Sequence, residues 1–185
     1  MRIISGIFKS RKIHSPAAGK NKRCGEIRPT SDRARETIFD ILNSRFDLTG
    51  CSCLDLFSGT GAYGFECLSR GAAFVSFVDL SKVAADLIKK TSGELGVEDK
   101  VVVTRSDAIK FLKENKIETD VIFADPPYDY KLLNEFSERV FDNDFKIFVL
   151  EAGGQKDINY ETKIYDCIER RVGEAFFKIF INKQI

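Results

Sequence analysis

The sequence has no apolar run approaching the ~18 residues that a membrane span needs. Its opening stretch, MRIISGIFKSRKIHS, lacks the apolar core of a signal peptide, so a cytoplasmic protein is expected. His14 is the sole histidine, and Cys51-x-Cys53 has no second cysteine pair to complete the about four ligands of a zinc site, so no metal is expected. The five cysteines (Cys24, Cys51, Cys53, Cys67, Cys167) are odd in number and sit within apolar stretches. That argues against a disulfide framework and fits a reducing compartment. No internal repeat or low-complexity segment is visible, and nothing calls for an obligate dimer, so a monomer is expected. No acidic side chain is met before Glu26.

What is present begins with an uneven charge distribution. The 29 Lys+Arg and 28 Asp+Glu leave a net charge of only +1. Residues 1–36, however, hold ten basic and three acidic side chains, for +7, and the remaining residues carry −6. A basic segment on an acidic body suggests a polyanion as partner. With 185 residues and 43% apolar content, one domain with a full core is expected. We read residues 1–27 as a basic N-terminal extension and 28–185 as the domain itself.

Beyond that extension, apolar runs of strand length alternate with helical patterns. The strands are expected at Cys51–Phe57, Phe74–Asp79, Val101–Thr104, Asp120–Ala124 and Lys146–Leu150. Helices are expected at Ala62–Arg70, Ser81–Gly93, Ala108–Glu114 and Lys131–Phe141. This alternation implies a mostly parallel sheet with helices on both faces. Tyr160–Ile168 and Ala175–Ile181 then read as two strands joined through Glu169–Glu174, a hairpin, so one strand must run antiparallel. A further helix opens near Arg28-Pro29-Thr30-Ser31, capped by Thr30 or Ser31. Its apolar stripe is Ala34, Ile38, Ile41 and Leu42, which leaves Arg33 and Arg35 off the stripe. Pro16–Lys22 and Gly153-Gly154 read as loops.

Leu54-Asp55-Leu56-Phe57-Ser58-Gly59-Thr60-Gly61-Ala62-Tyr63-Gly64 leaves the first strand and opens a helix. Its glycines permit a tight turn and close approach of a ligand. The letters satisfy G-x-G-x-x-G, the dinucleotide fingerprint, but that pattern alone is weak. Asp55 decides against it, because a carboxylate just before the loop suits a cationic ligand better than a pyrophosphate. S-adenosylmethionine carries such cationic groups, an ammonium and a sulfonium. Its ribose would want an acid at the end of the second strand, where Asp79 stands beside Leu80. Its adenine would want a polar acceptor after the third, where Ser106-Asp107-Ala108 lies. The candidate cofactor residues are Asp55, Phe57, Ser58, Gly59, Gly61, Asp79, Leu80, Asp107 and Ala108. With Asp125, the acids Asp55, Asp79 and Asp107 fall one per strand at carboxyl ends, where open α/β sheets bind ligands.

Asp125-Pro126-Pro127-Tyr128 ends the fourth strand. Two prolines stop the ladder, stiffen the backbone and free its carbonyls. The Asp125 carboxylate and the Pro126 carbonyl can then accept both hydrogens of one amino group while Tyr128 stacks on a base. An exocyclic nucleobase amine is a poor nucleophile because its lone pair is delocalised into the ring. Two acceptors favour a pyramidal nitrogen and aim that lone pair at a methyl donor. Positioning and electrostatics then suffice, without a covalent enzyme nucleophile. The candidate catalytic residues are Asp125, Pro126, Pro127 and Tyr128. The same logic serves N2 of guanine and N6 of adenine, and the residues alone do not separate them. A catalytically inactive nucleic-acid-binding module is a third reading, which the intact Asp55, glycine loop and Asp125 oppose.

Taken together, Arg2-Ile3-Ile4-Ser5-Gly6, Arg28-Pro29-Thr30, Arg35-Glu36-x-x-Phe39, the Leu54–Gly61 loop, Glu66-x-Leu68-Ser69-Arg70-Gly71-Ala72 and Asp125-Pro126-Pro127-Tyr128 resemble the bacterial 16S ribosomal RNA guanine-N2 methyltransferases of the small subunit. The resemblance implies a Rossmann-like, S-adenosylmethionine-dependent methyltransferase fold with a seven-stranded, mostly parallel sheet and one antiparallel strand. It favours guanine over adenine and implies 16S ribosomal RNA or the small subunit as partner. It also implies that the basic extension and the Arg28–Glu36 segment face RNA or cover the cofactor. Candidate RNA contacts are Arg2, Lys9, Arg11, Lys12, Arg28, Thr30 and Arg35. The chain departs from the family's usual residues at Asp79 (often Glu), Val172 (usually Tyr) and Cys67 (usually Ala).

Overall fold

Along the strands, large apolar side chains alternate between two faces, and each face is covered by helices of complementary stripe. The computed structural model describes residues 1–16, 32–152 and 158–184. The elements are α1 (Asp32–Asn43), β1 (Ser52–Leu56), α2 (Ala62–Ser69), β2 (Phe74–Asp79), α3 (Lys82–Leu95), β3 (Val101–Arg105), α4 (Ala108–Glu114), β4 (Glu118–Ala124), α5 (Leu133–Phe141), β5 (Asp144–Ala152), β6 (Tyr165–Val172) and β7 (Ala175–Asn182). They form one seven-stranded sheet in the order β3-β2-β1-β4-β5-β7-β6. β7 pairs antiparallel with both neighbours, and every other pairing is parallel. The expected architecture is present, with its single antiparallel strand.

On one face Cys53, Val75, Phe77, Val121, Phe123, Ile147 and Val149 meet Ile38, Phe39 and Leu42 of α1, Phe65 and Leu68 of α2, and Ile88 of α3. On the other, Leu54, Leu56, Val78, Ile122, Phe148 and Leu150 meet Ile109 and Leu112 of α4 and Phe136 and Val140 of α5. Each such side chain, fully buried, contributes about 1.5–3 kcal/mol by leaving water. Helix α3 starts on the Ser81 hydroxyl, which accepts the Ala84 amide, and stops at Gly96 in the left-handed conformation.

Two expectations shift. The sixth strand runs Tyr165–Val172 rather than Tyr160–Ile168, and most of Glu169–Glu174 belongs to strands, with only Gly173-Glu174 left as the turn. β6 is the outer edge of the sheet, and its charged Asp166, Glu169, Arg170 and Arg171 are exposed, so an apolar run does not mark it. Charged edge strands of this kind resist pairing with other chains. The second shift concerns Arg35. It lies one turn before Ile38 and Phe39, on the buried face of α1, and is 0% exposed. The proposed Thr30 or Ser31 cap, Pro16–Lys22 beyond Pro16, and the Gly153-Gly154 loop lie outside the described residues.

The first sixteen residues pack against the domain. Arg2 bridges Lys12 in a short hairpin, and Ile3 and Ile13 are fully buried in the cluster under α1, α2 and α3. Glu66 of α2 accepts the Ile4 and Ser5 amides at 2.8 and 3.0 Å, and Ser69 accepts the Phe8 amide at 2.9 Å. At Gly6, φ is +81° and a Cβ would stand 1.8 Å from the Ser69 carbonyl oxygen, so only glycine permits this approach.

Candidate active site

The carboxyl edge of the sheet gathers the loops that the sequence singled out. After β1 the chain turns sharply. Phe57 adopts φ +54°, a conformation rare for a side chain of its size and typical of functional turns. That twist points its ring into the second core layer, edge-on to Tyr130 at 5.2 Å and to Phe136 at 5.1 Å. Phe57 thus ties the first loop to the loop after β4. Gly61 then starts α2 with φ +77°, and a Cβ there would stand 2.9 Å from the rings of Phe65 and Phe77.

Asp79, the last residue of β2, organises this turn. Its Oδ2 accepts the Gly59 amide at 2.7 Å and its Oδ1 accepts the Ser81 amide at 2.8 Å. Asp55 lies one strand over and is only 2% exposed, with Oδ2 accepting the Gly64 amide at 3.0 Å. Burial pushes its carboxyl well above the usual carboxylate range. The Gly64 amide opposes that rise, and the nearby Asp79 adds to it. A cation arriving beside Asp55 would recover much of that cost. Asp107 caps α4 by accepting the Lys110 amide at 2.9 Å, and Ala108 behind it is buried. Leu80, at 65% exposure, offers an apolar plate at the rim between Asp79 and Asp107. Carboxylates at three strand ends, a glycine cradle and an apolar plate fit a ligand that joins a cation, a ribose and a flat base. S-adenosylmethionine has these parts.

At the end of β4, the Asp125 amide still reaches Leu56 O at 3.4 Å before the prolines end the pairing. Asp125 is half-buried, Pro126 is buried and Pro127 is exposed. The Tyr130 amide closes a turn onto Pro127 O at 2.8 Å, and Tyr128 stands out from it with 41% exposure. The candidate base-stacking ring therefore borders the same edge as Asp55 and Asp79.

Three features escaped the sequence reading. Tyr130 has a buried hydroxyl without a hydrogen-bond partner among the described residues, and burial, then Asp107 and Glu135, raise its pKa. It belongs to the loop after β4, where its ring meets Phe57 of the first loop at 5.2 Å, and its only sequence signal was proximity to the two prolines. Glu151, near the end of β5, accepts the Tyr63 hydroxyl at 3.2 Å. Tyr63 itself stacks flat on Phe123 at 5.1 Å. An acid closing the apolar run Phe148-Val149-Leu150 was the available signal for Glu151.

The candidate RNA contacts separate into two groups. Lys9, Arg11, Lys12 and Arg2 are exposed on the N-terminal hairpin, with Arg2 paired to Asp32 at 3.3 Å and Arg11 donating to Glu94 O at 2.7 Å. Arg35 instead faces inward, where its Nη2 donates to Arg2 O at 2.9 Å and Asp32 at 2.7 Å. Full burial leaves it no phosphate to reach. Arg28 and Thr30 lie outside the described residues. The hairpin ends at the cofactor turn, where Thr60 Oγ1 approaches Met1 Sδ at 3.6 Å. Among the described residues no cluster of His, Cys, Asp and Glu is arranged to hold a metal. No helix among them is long and apolar enough to cross a membrane.

A family profile described as Conserved hypothetical protein 95 matches residues 1–181. Ribosomal RNA small subunit methyltransferase D of Haemophilus influenzae is 34% identical over 148 residues, spanning 78% of this chain and 72% of the relative. The solved structure of yhhF from Escherichia coli superposes with a TM-score of 0.82 at 27% identity, covering 98% of this chain and 97% of that one. A SAM-dependent methyltransferase from Agrobacterium tumefaciens, 18% identical, shares the fold with a TM-score of 0.61 over 80% of this chain and 61% of its own.

Proposed function

The chain belongs to the family described as Conserved hypothetical protein 95 and is a methyltransferase of the ribosomal RNA kind; from that premise we propose that it transfers a methyl group from S-adenosylmethionine to N2 of a guanine in 16S ribosomal RNA. The observation that carries the proposal is the row of strand-end acids, with buried Asp55 and loop-holding Asp79 on the cofactor side and Asp125-Pro126-Pro127-Tyr128 beside them.

S-adenosylmethionine, when bound, supplies a methyl group already activated on a positively charged sulfur. Asp55 would meet the positive end of the ligand, whose charge favours the ionised carboxyl that burial disfavours. Asp79 and the Gly59 amide it orients would border the ribose, while Leu80, Asp107 and Ala108 would border the adenine. Asp125 and the Pro126 carbonyl accept the two hydrogens of the target amine, which turns its lone pair toward the methyl. As the nitrogen gains the methyl it sheds one proton, and Asp125 is placed to receive it. Tyr128 stacks on the base, which must leave its helix to enter the cleft, and so offsets part of the unstacking cost. The basic hairpin residues Lys9, Arg11 and Lys12 hold phosphates nearby.

The test is direct. The purified protein is incubated with methyl-labelled cofactor and small ribosomal subunits lacking the modification, and the digested RNA is examined by nucleoside. Label in N2-methylguanosine is expected. N6-methyladenosine, or no label, would overturn the reading.

A further inference from the structure

We infer that Arg170 and Arg171, on the outer edge strand of the sheet, form a second phosphate-binding anchor for the substrate RNA, on the flank of the target base opposite the N-terminal hairpin. The inference rests on the proposed methylation of 16S RNA and adds a surface to it.

Strand register sets Arg170 level with the base-holding loop. Ala124 of β4 stands opposite Leu150 of β5, so Asp125 and Glu151 follow one step on. Glu151 stands opposite Phe177 of β7, and Phe177 opposite Arg170 of β6. Cross-strand neighbours share a face, so Asp125, Phe177 and Arg170 lie in one row on the α1 side of the sheet. Three strand spacings separate the ends of that row, about 14 Å. Because β7 is antiparallel to both β5 and β6, β6 runs the same way as β4. Its last residues and the Gly173-Glu174 turn therefore emerge at the carboxyl edge. The N-terminal hairpin docks on Ser69 of α2 and Glu94 of α3, over the half of the sheet that bears the candidate cofactor residues. Arg170 and Arg171 stand on the other half.

Both arginines are exposed, and their donors are only partly used. Arg170 Nη1 donates to Glu169 O at 2.9 Å, and Arg171 Nε donates to Gly173 O at 3.3 Å. Neither has an ion-pair partner among the described residues, and the neighbouring Glu169 is taken by Lys178. A guanidinium carries five N–H donors, so each keeps free ones in a planar fork that matches a phosphate. With Lys178 and the turn residue Glu174 included, three cations face two acids at this tip. Guarding an edge strand needs charge of either sign. On β6 the signs are sorted instead. Asp166, near the amino end, is paired with Lys183, and the two arginines stand together at the carboxyl end. Between them and the hairpin, the strand-end acids Asp55, Asp79, Asp107 and Asp125 repel a phosphate backbone. A strand crossing those acids is held when cations meet it on both flanks.

The test compares wild type with Arg170→Glu/Arg171→Glu and with Lys100→Glu/Lys163→Glu. The second pair makes the same charge change at exposed positions just before β3 and β6, on the amino edge. Binding to unmodified small subunits is measured across a range of salt, with cofactor Kd and single-turnover methyl transfer on the same preparations. In the arginine variant affinity should fall, and the slope of log K against log salt should flatten by about 0.7–0.9 for each phosphate no longer neutralised. Cofactor Kd and the transfer rate at saturating subunits should stay as in wild type. The lysine control should keep the wild-type slope. An unchanged slope in the arginine variant, or equal flattening in the control, overturns the inference while methylation stands. Wild type that leaves the subunits unlabelled removes the underlying reading instead. Should the double reversal fail to fold, Arg170→Gln/Arg171→Gln, which removes the charge alone, must flatten the slope in the same direction, and an unchanged slope overturns the inference.

Discussion

The carboxylate of Asp79 at the end of β2 holds the backbone amide of Gly59, in the turn after β1, at 2.7 Å. A second strand therefore shapes the loop of the first. Its other oxygen fixes the Ser81 amide that leads into α3. Asp79→Ala removes both bonds and the proposed ribose contact together. Loss of the ribose contact alone, at about 1.5–3 kcal/mol for a hydrogen bond to a charged group, should raise cofactor Kd by at least tenfold in calorimetry. An unchanged Kd would place the ribose elsewhere.

Asp55 predicts a pH dependence of definite sign. Its carboxyl is raised by burial, so the folded protein holds a proton there more tightly than the unfolded chain does. Its contribution to stability is therefore greatest below the ordinary carboxylate value of 3.8 and declines as pH rises through the raised value. A cationic ligand favours the ionised form, so cofactor binding should release a proton and tighten with rising pH across that same window. Calorimetry in buffers of different ionisation enthalpy reads the released proton directly. In Asp55→Asn the release should vanish, and persistent release would assign the proton to another group.

The hairpin of residues 1–13 supplies core residues and, in the proposed function, phosphate contacts, and the two are separable by mutation. Ile3 and Ile13 are core residues, so removing the segment should unfold the domain rather than simply weaken RNA binding. Replacing Lys9, Arg11 and Lys12 with glutamate leaves that core intact. RNA affinity should then fall, and the slope of log K against log salt should flatten by about 0.7–0.9 for each phosphate that is no longer neutralised. An unchanged slope would show that RNA lies elsewhere.

Arg35→Ala should behave in the opposite way. It removes a fully buried guanidinium and its tie to Arg2 O, at a cost of about 2–4 kcal/mol in denaturant unfolding. The salt slope should stay as in wild type. A flattened slope with normal stability would return Arg35 to the RNA surface.

What the sequence disclosed follows from local physics. Strands buried on both faces, such as Val121-Ile122-Phe123-Ala124, announce themselves as apolar runs, and glycines and prolines mark the loops between them. The acids at the loops were visible because each stands at or just beyond the end of such a run. β6 was displaced because an edge strand with charged outward residues has no apolar signature. Arg35 misled because burial of a guanidinium depends on Arg2 O, 33 residues away in the chain. The hairpin docks through Glu66, about 60 residues distant, and only Ile3 and Ile13 enter the core. Glu151 is met by the hydroxyl of Tyr63, 88 positions earlier. Local patterning carries none of these pairings.

The central claim is that Asp125 acts on the target amine and not on the cofactor. Single-turnover methyl transfer to unmodified small subunits by Asp125→Ala, with cofactor Kd measured on the same preparation, separates the two. The rate should fall by about a hundredfold or more, in the range seen when a positioned acid–base group is lost, while the Kd stays within twofold of wild type. A transfer rate near wild type, or a loss matched by an equal loss of cofactor binding, would contradict the assignment.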